Sequence, residues 1–198
     1  MKVKRFLMLG VVAVCSLTAC AKEVSPADFQ AEIDKIEPYS YNQAKAKYKC
    51  TADGSGVFAS DANQFKTGEI TVTFGKNSGN QNIDPMNELV RACASYIFTI
   101  QGINLSNLMS SLRQNDMITT FSFYTGPLSM KYVTSGIKTE NGIDIKMKYV
   151  GNYQFEKYGY CVKATETFEA KVDYKEKGIT IEGSLKVTQK ATVSYKNV

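Results

Sequence analysis

From Met117 to the C-terminus the chain alternates apolar and polar residues almost without interruption. Ile143, Ile145, Met147, Tyr149, Tyr153 and Phe155 fall on one side of an extended strand, and Asp144, Lys146, Lys148, Asn152, Gln154 and Glu156 on the other. The same period runs through Val162, Ala164, Phe168, Ala170, Val172 and Tyr174, and again through Ile179, Ile181, Leu185, Val187, Ala191, Val193 and Tyr195. A period of two marks strands, and one apolar face backed by one charged face marks an antiparallel sheet covered on one side. Three of the runs last about 13 to 17 residues, so at about 3.3 Å per residue they would span roughly 43–56 Å, far beyond an ordinary strand. Such strands must curl, or bend at Gly151 and Gly183, which both fall on the apolar side. Thr125-Gly126-Pro127, Glu140-Asn141-Gly142, Lys157-Tyr158-Gly159 and Glu176-Lys177-Gly178 supply the turns, Asn141-Gly142 being what a two-residue type I′ hairpin requires.

The first half of the chain supplies helices and two further strands. Ser25-Pro26-Ala27-Asp28 reads as an N-cap, a proline in the first turn and an early acid. Phe29, Ile33 and Ile36 then recur at helical spacing until Pro38. Strands are expected over 43–51, broken by Asp53-Gly54-Ser55-Gly56 as a turn, and over 67–74. Asp84-Pro85 opens a helix over 85–100 whose stripe is Met86, Leu89, Val90, Cys93, Ile97 and Ile100. After Gly102, a cap at Asn104 or Ser106 starts a second piece with Leu105, Leu108, Met109 and Leu112. The fold class is α+β: a long, curved, half-barrel-like antiparallel meander whose concave face is covered by helices, with residues 26–198 forming a single domain.

Composition narrows the chemistry. The chain has no histidine, which removes the Ser-His-Asp and Cys-His nucleophile systems, histidine zinc ligands and histidine general bases. No Cys-x-x-Cys occurs, so no zinc ribbon or dithiol redox motif is expected, and no metal or cofactor. Ser135 to Lys138 and Lys66-Thr67-Gly68 match two short motifs of penicillin-binding enzymes, but in the wrong order and with the serine on a strand instead of a helix. On β-strand spacing Glu166 alone among the acids lands on the apolar side of its run. A buried carboxylate is costly and hence a functional candidate, though a local bulge turning it outward is the simpler expectation. Lysines alternate with acids along the strands, giving no basic stripe for nucleic acid.

The N-terminus carries an address. Met1-Lys-Val-Lys-Arg5 precedes an apolar stretch from Phe6 to Ala19 that is too short to span a bilayer. Leu17-Thr18-Ala19-Cys20 resembles the lipobox of bacterial lipoproteins. That resemblance implies a signal peptide over 1–19, lipid on Cys20, a tether over 20–25, and a membrane-anchored, extracytoplasmic place in the cell envelope, periplasmic or on the cell surface. Removing Lys2, Lys4 and Arg5 from 24 bases leaves 21 against 19 acids, so the net charge falls from +5 to +2. Cys50, Cys93 and Cys161 remain; Cys50 with Cys161 is the pair to test, against three separate thiols packed as small apolar groups.

The order of elements, with a lipobox, a short helix, early strands, a helical middle and a C-terminal meander, resembles the LolA/LolB/LppX group of lipoprotein and lipid carriers. The resemblance implies a half-barrel that holds acyl chains under a helical lid, and it carries over no functional residue. The expected function is therefore non-catalytic binding of a hydrophobic or amphiphilic ligand. Ile143, Ile145, Met147, Tyr149, Phe168, Val172, Ile181 and Leu185 are the lining candidates, with Leu89, Cys93, Ile97, Leu105, Leu108 and Met109 as lid. The alternative is a cell-envelope interaction protein with a solid core, binding another protein or an envelope polymer through its polar sheet face or loops. A hydrolase using carboxylates is a third reading, and it predicts that Glu166→Gln abolishes activity.

Overall fold

The computed structural model describes residues 21–56, 68–74, 88–113, 116–176 and 178–196. Cys20, the signal segment, Met86 and the Lys66-Thr67 dipeptide lie outside the described residues. The described chain is dominated by one antiparallel sheet: β1 (Lys22–Val24), β2 (Gln43–Gly56), β3 (Gly68–Phe74), β4 (Ile118–Thr125), β5 (Ser129–Glu140), β6 (Ile143–Phe155), β7 (Cys161–Glu176) and β8 (Ile179–Lys196). Their order across the sheet is β1-β4-β5-β6-β7-β8-β2-β3, an open arrangement with β1 and β3 at the edges. Among the described residues three short helices accompany it, α1 (Pro26–Asp34), α2 (Glu88–Ser95) and α3 (Leu105–Ser111). None of them is long and apolar enough to cross a membrane.

The hairpins form where the turn residues demanded. Asn141 and Gly142 both adopt left-handed φ, 53° and 76°, which is the type I′ geometry joining β5 to β6. The strands outrun the expected ends. Asp53-Gly54-Ser55-Gly56 does not turn: it continues β2 opposite Lys186, Leu185, Ser184 and Gly183. The 18-residue β8 offers an uninterrupted ladder there, and its backbone hydrogen bonds outweigh the local preference of Asp and Gly for a turn. Lys22–Val24, expected in the tether, is a strand, with Val24 opposite Phe123 and packed against the core.

The helices are shorter than their apolar stripes. Ser25 caps α1 by accepting the Asp28 N–H at 3.1 Å, and Phe29 and Ile33 are buried, but the helix ends at Asp34. Past Ser95 the chain leaves the helix, correcting the expected span of 85–100. Ser95 Oγ donates to the Ala92 carbonyl at 2.6 Å, and Phe98–Ile100 is extended, its backbone bonded to Gly159 and Cys161 at 2.9 Å. Two β-branched residues, Thr99 and Ile100, favour that extended path. Asn104, not Ser106, caps α3 by accepting the Asn107 N–H.

Gly151 has a role other than bending. It is buried on β6 between Tyr132 on β5 and Glu166 on β7. A Cβ there would overlap Cε1 of the Tyr132 ring and stand 2.9 Å from its Cζ. Tyr132 is itself buried and stacked between Tyr149 and Tyr153, so the ring has nowhere to move. Gly151→Ala is expected to cost about 1–3 kcal/mol by overpacking, read as a lower urea midpoint at unchanged slope. A neutral result would mean that the ring has room to shift.

Candidate functional site

The apolar face of the sheet divides into two parts. At one end Tyr48, Phe123, Met130, Tyr132, Tyr153, Phe155, Cys161, Ala164 and Val193 form a sealed core with Phe29 and Ile33 of α1 and with Cys93, Tyr96, Ile100 and Leu105. Toward the other end the cross-strand neighbours are Tyr149–Phe168–Val187, then Met147–Ala170–Leu185, then Ile145–Val172–Gly183, then Tyr174–Ile181. All eight lining candidates thus share one face on three adjacent strands. Val172 is buried, while Ile143, Ile145, Met147, Tyr149, Phe168, Ile181 and Leu185 are only half-buried. Beyond them Ile179, on the same face, is 56% exposed.

The lid candidates lie elsewhere. Cys93 and Leu105 are buried in the sealed core, and Ile97, Leu108 and Met109 pack against it; Leu89 is in α2, and its side chain lies outside the described residues. Of the lining candidates, only Tyr149 packs against that core. Among the described residues, then, the lid candidates belong to the core and the lining candidates other than Tyr149 do not. The reason is the early end of α2: once the chain runs extended through Phe98–Ile100 it follows Gly159–Cys161, at the sealed end of β7.

Glu166 sits at the border between the two parts, and no bulge turns it outward. It remains in register opposite Gly151 and Gln189. The irregularity in β7 falls earlier, where Phe155 pairs with Cys161 and Val162 is the extra residue. Cys161 is consequently buried and Val162, expected on the apolar side, is not. The Tyr96 hydroxyl donates its single proton to Glu166 Oε2 at 2.8 Å, and the side-chain amide of Gln189 stands 3.0 Å from the same hydroxyl. The Tyr153 hydroxyl donates to Glu166 Oε1. Burial first, and the Glu166 charge second, push the Tyr96, Tyr149 and Tyr153 hydroxyls well above the ordinary tyrosine range, so all three are protonated donors at neutral pH. The five ion pairs among the described residues are all solvent-exposed, and none involves Glu166.

The tyrosine cluster was not anticipated from sequence. Its signal was present: Gln189 breaks the apolar alternation of β8 at the position that pairs with Glu166, so two polar exceptions face each other on neighbouring strands. Ser135 and Lys138 lie three residues apart on β5 and so point to opposite faces, which separates the serine and lysine of the short motif.

On the polar face a groove of about 430 Å3 crosses β6, β7, β8 and β2. Lys146, Lys171, Ser184 and Ser55 form one row of it, and Lys148, Glu169, Lys186 and Asp53 the next. Lys186 pairs with Glu169 at 2.8 Å, and Lys186 with Lys148 holds the Glu169 carboxyl below its usual range.

Cys50, Cys93 and Cys161 are free and buried, so the pairing of Cys50 with Cys161 is not formed. Cys50 lies two strands from Glu166, and Cys161 five residues before Glu166 on β7, which separates them by roughly 15–20 Å. A disulfide needs Cα atoms within about 7 Å. Burial pushes the Cys93 thiol up to about 11 and the Cys161 thiol to about 12, from an ordinary 9.0. In the unfolded chain these thiols ionise first, so their contribution to stability is whole below pH 9 and is lost as pH rises toward 11–12. Native protein is expected to resist a disulfide-exchange reagent at pH 8 and to react at all three positions in denaturant. Rapid native labelling of Cys161 would contradict this burial.

Comparison with protein-family models, curated proteins and solved structures gives no match.

Proposed function

We propose that this is a lipid-anchored protein of the cell envelope that holds a hydrophobic or amphiphilic ligand on the open half of its sheet, without catalysing a reaction on it. One observation carries the reading: Ile143, Ile145, Met147, Phe168, Ile181 and Leu185 form a contiguous apolar surface that the described core does not absorb. Apolar area left at a surface in one contiguous patch is the usual mark of a binding site. In this reading the long strands curl about that patch as a half-barrel, residues 88–113 close its inner end, and lipid on Cys20 keeps the domain at the membrane surface outside the cytoplasm.

The test uses protein lacking residues 1–20, purified from bacteria. Native mass spectrometry is expected to find co-purified lipid, and an apolar fluorophore is expected to bind and be displaced by it. Met147→Trp and Leu185→Trp, which fill the open surface, should weaken fluorophore binding about tenfold, or 1.4 kcal/mol, with little change in thermal midpoint. Absence of both lipid and fluorophore binding overturns the proposal.

A second reading rests on the groove of the polar face. Lys146 and Lys171 stand directly opposite each other there, a like-charge pair that is unfavourable in a sheet unless an anion joins it. It supports contact with an anionic envelope polymer, and Lys146→Glu would abolish such binding without touching the fluorophore assay.

A further inference from the structure

The polar face of the sheet carries a charge pattern that no single strand reveals. We infer that this face at the sealed end, centred on Lys131, Lys163, Lys190 and Lys49, docks the domain on a membrane surface of anionic lipid headgroups. The inference rests on the lipid proposed for Cys20 and specifies which side of the domain meets the bilayer.

The strand register gathers lysines that are spread out along the chain. One row across the polar face holds Lys163 and Lys47, with Glu23 at its β1 edge. The next row holds Lys131, Lys190 and Lys49, with Glu69 at its β3 edge. Lys45 follows beyond Lys47 on β2, so six exposed lysines meet two acids. Among the described residues only Lys47 of the six is in an ion pair, with Glu69. Lys49 stands directly opposite Lys190, a like-charge pair that is unfavourable until an anion joins it. A groove of about 380 Å3 is lined from both rows, by Lys131, Lys163, Asn152, Gln154, Ser129 and Thr165 among others, and by no carboxylate. Ammonium and carboxamide donors without a competing acid suit phosphate oxygens.

A short tether sets these rows beside the lipid. Only Ala21 separates Cys20 from Lys22, the first residue of β1. The chain between them spans at most about 7 Å. Lys131 lies on β5, two strands from β1 and hence roughly 10 Å away. The far end of the same face has the opposite sign: Asp173 stands opposite Glu182, where Lys175 pairs with Glu182 at 2.8 Å. Glu182 is roughly 26 Å along β8 from Lys190. A face that is positive beside the anchor and negative at its distant end turns its sealed end toward an anionic bilayer.

The test uses the chain from residue 21, which contains every described element and carries no lipid, so binding reports the protein surface alone. Co-sedimentation at low salt is expected with vesicles of phosphatidylcholine and phosphatidylglycerol but not of phosphatidylcholine alone, and to disappear at high salt. Lys163→Gln with Lys190→Gln should weaken it about thirtyfold, at roughly fivefold per lysine. Lys146→Gln with Lys171→Gln makes the same charge change roughly 20 Å further along the strands and should weaken it less than about threefold. Thermal midpoints check that both double variants fold. Equal losses in the two variants would make net charge the cause and overturn the docking face; binding to both vesicle types alike, or to neither, would overturn it too. Tighter binding of soluble polyglutamate than of the mixed vesicles would assign the lysines to a polyanion and overturn lipid docking. Fluorophore binding belongs to the apolar face and should be unchanged in both variants; its absence from the wild type would overturn the proposed ligand while the vesicle result stands.

Discussion

Phe123→Ala is expected to lower the unfolding free energy by about 3–5 kcal/mol, the range for removing a fully buried aromatic ring. Phe123 is 1% exposed and lies where three elements meet. It faces Val24 of β1 and Met130 of β5 across the sheet, and its ring centroid is 4.8 Å from that of Phe29 on α1. Neither neighbour can collapse into the space: β1 is only three residues long and α1 docks through Phe29 and Ile33 alone among its buried residues. The cavity therefore persists, and its cost adds to the lost transfer energy. Urea denaturation measures the total, while hydrogen exchange should show β1 and α1 amides losing protection ahead of the rest of the sheet. Thr120→Ala, exposed on the opposite face of the same strand, is the control at under about 1 kcal/mol. A Phe123→Ala protein as stable as that control would mean that the N-terminal elements do not pack as described.

The same residue illustrates how far the sequence could be read. Period-two alternation located β5 to β8 and their hairpins because each strand there borders its neighbour in sequence, so turn chemistry and face pattern suffice. Order across the sheet was not available by that route. Gly54 and Gly56 look like a turn until β8 is placed beside them, and Val24 looks like tether until β4 is. The helical stripe through Ile97 and Ile100 is equally compatible with an extended segment that buries alternate residues, and the backbone of Gly159–Cys161 decided between them. For the candidate site, the lining candidates were legible as a set only in sharing one face, which alternation alone provides. What covers them was not, since helix position depends on contacts between residues far apart in the chain. Glu166 was legible as an anomaly and its surroundings were not, because its partners come from Tyr96 on the crossing segment and from Tyr153 on the neighbouring strand.

That convergence makes Tyr153 the second position of large effect, where two substitutions separate packing from polarity. Tyr153→Ala removes a buried ring that stacks with Tyr132 and meets Phe98 edge-on at 5.7 Å, and is expected to cost about 3–5 kcal/mol. Tyr153→Phe keeps the ring and deletes only the hydroxyl that Glu166 Oε1 accepts. Its expected cost is about 1–3 kcal/mol, because a carboxylate on the apolar face loses a charge-assisted donor. The double variant Tyr153→Phe with Glu166→Gln should recover part of that loss, since a neutral amide needs the donor less than a carboxylate does. Coupling of this sign, read from a double-mutant cycle in urea, requires that the hydroxyl and the carboxylate interact directly. Strict additivity would place the Tyr153 hydroxyl elsewhere and leave the apolar-face carboxylate without its second donor.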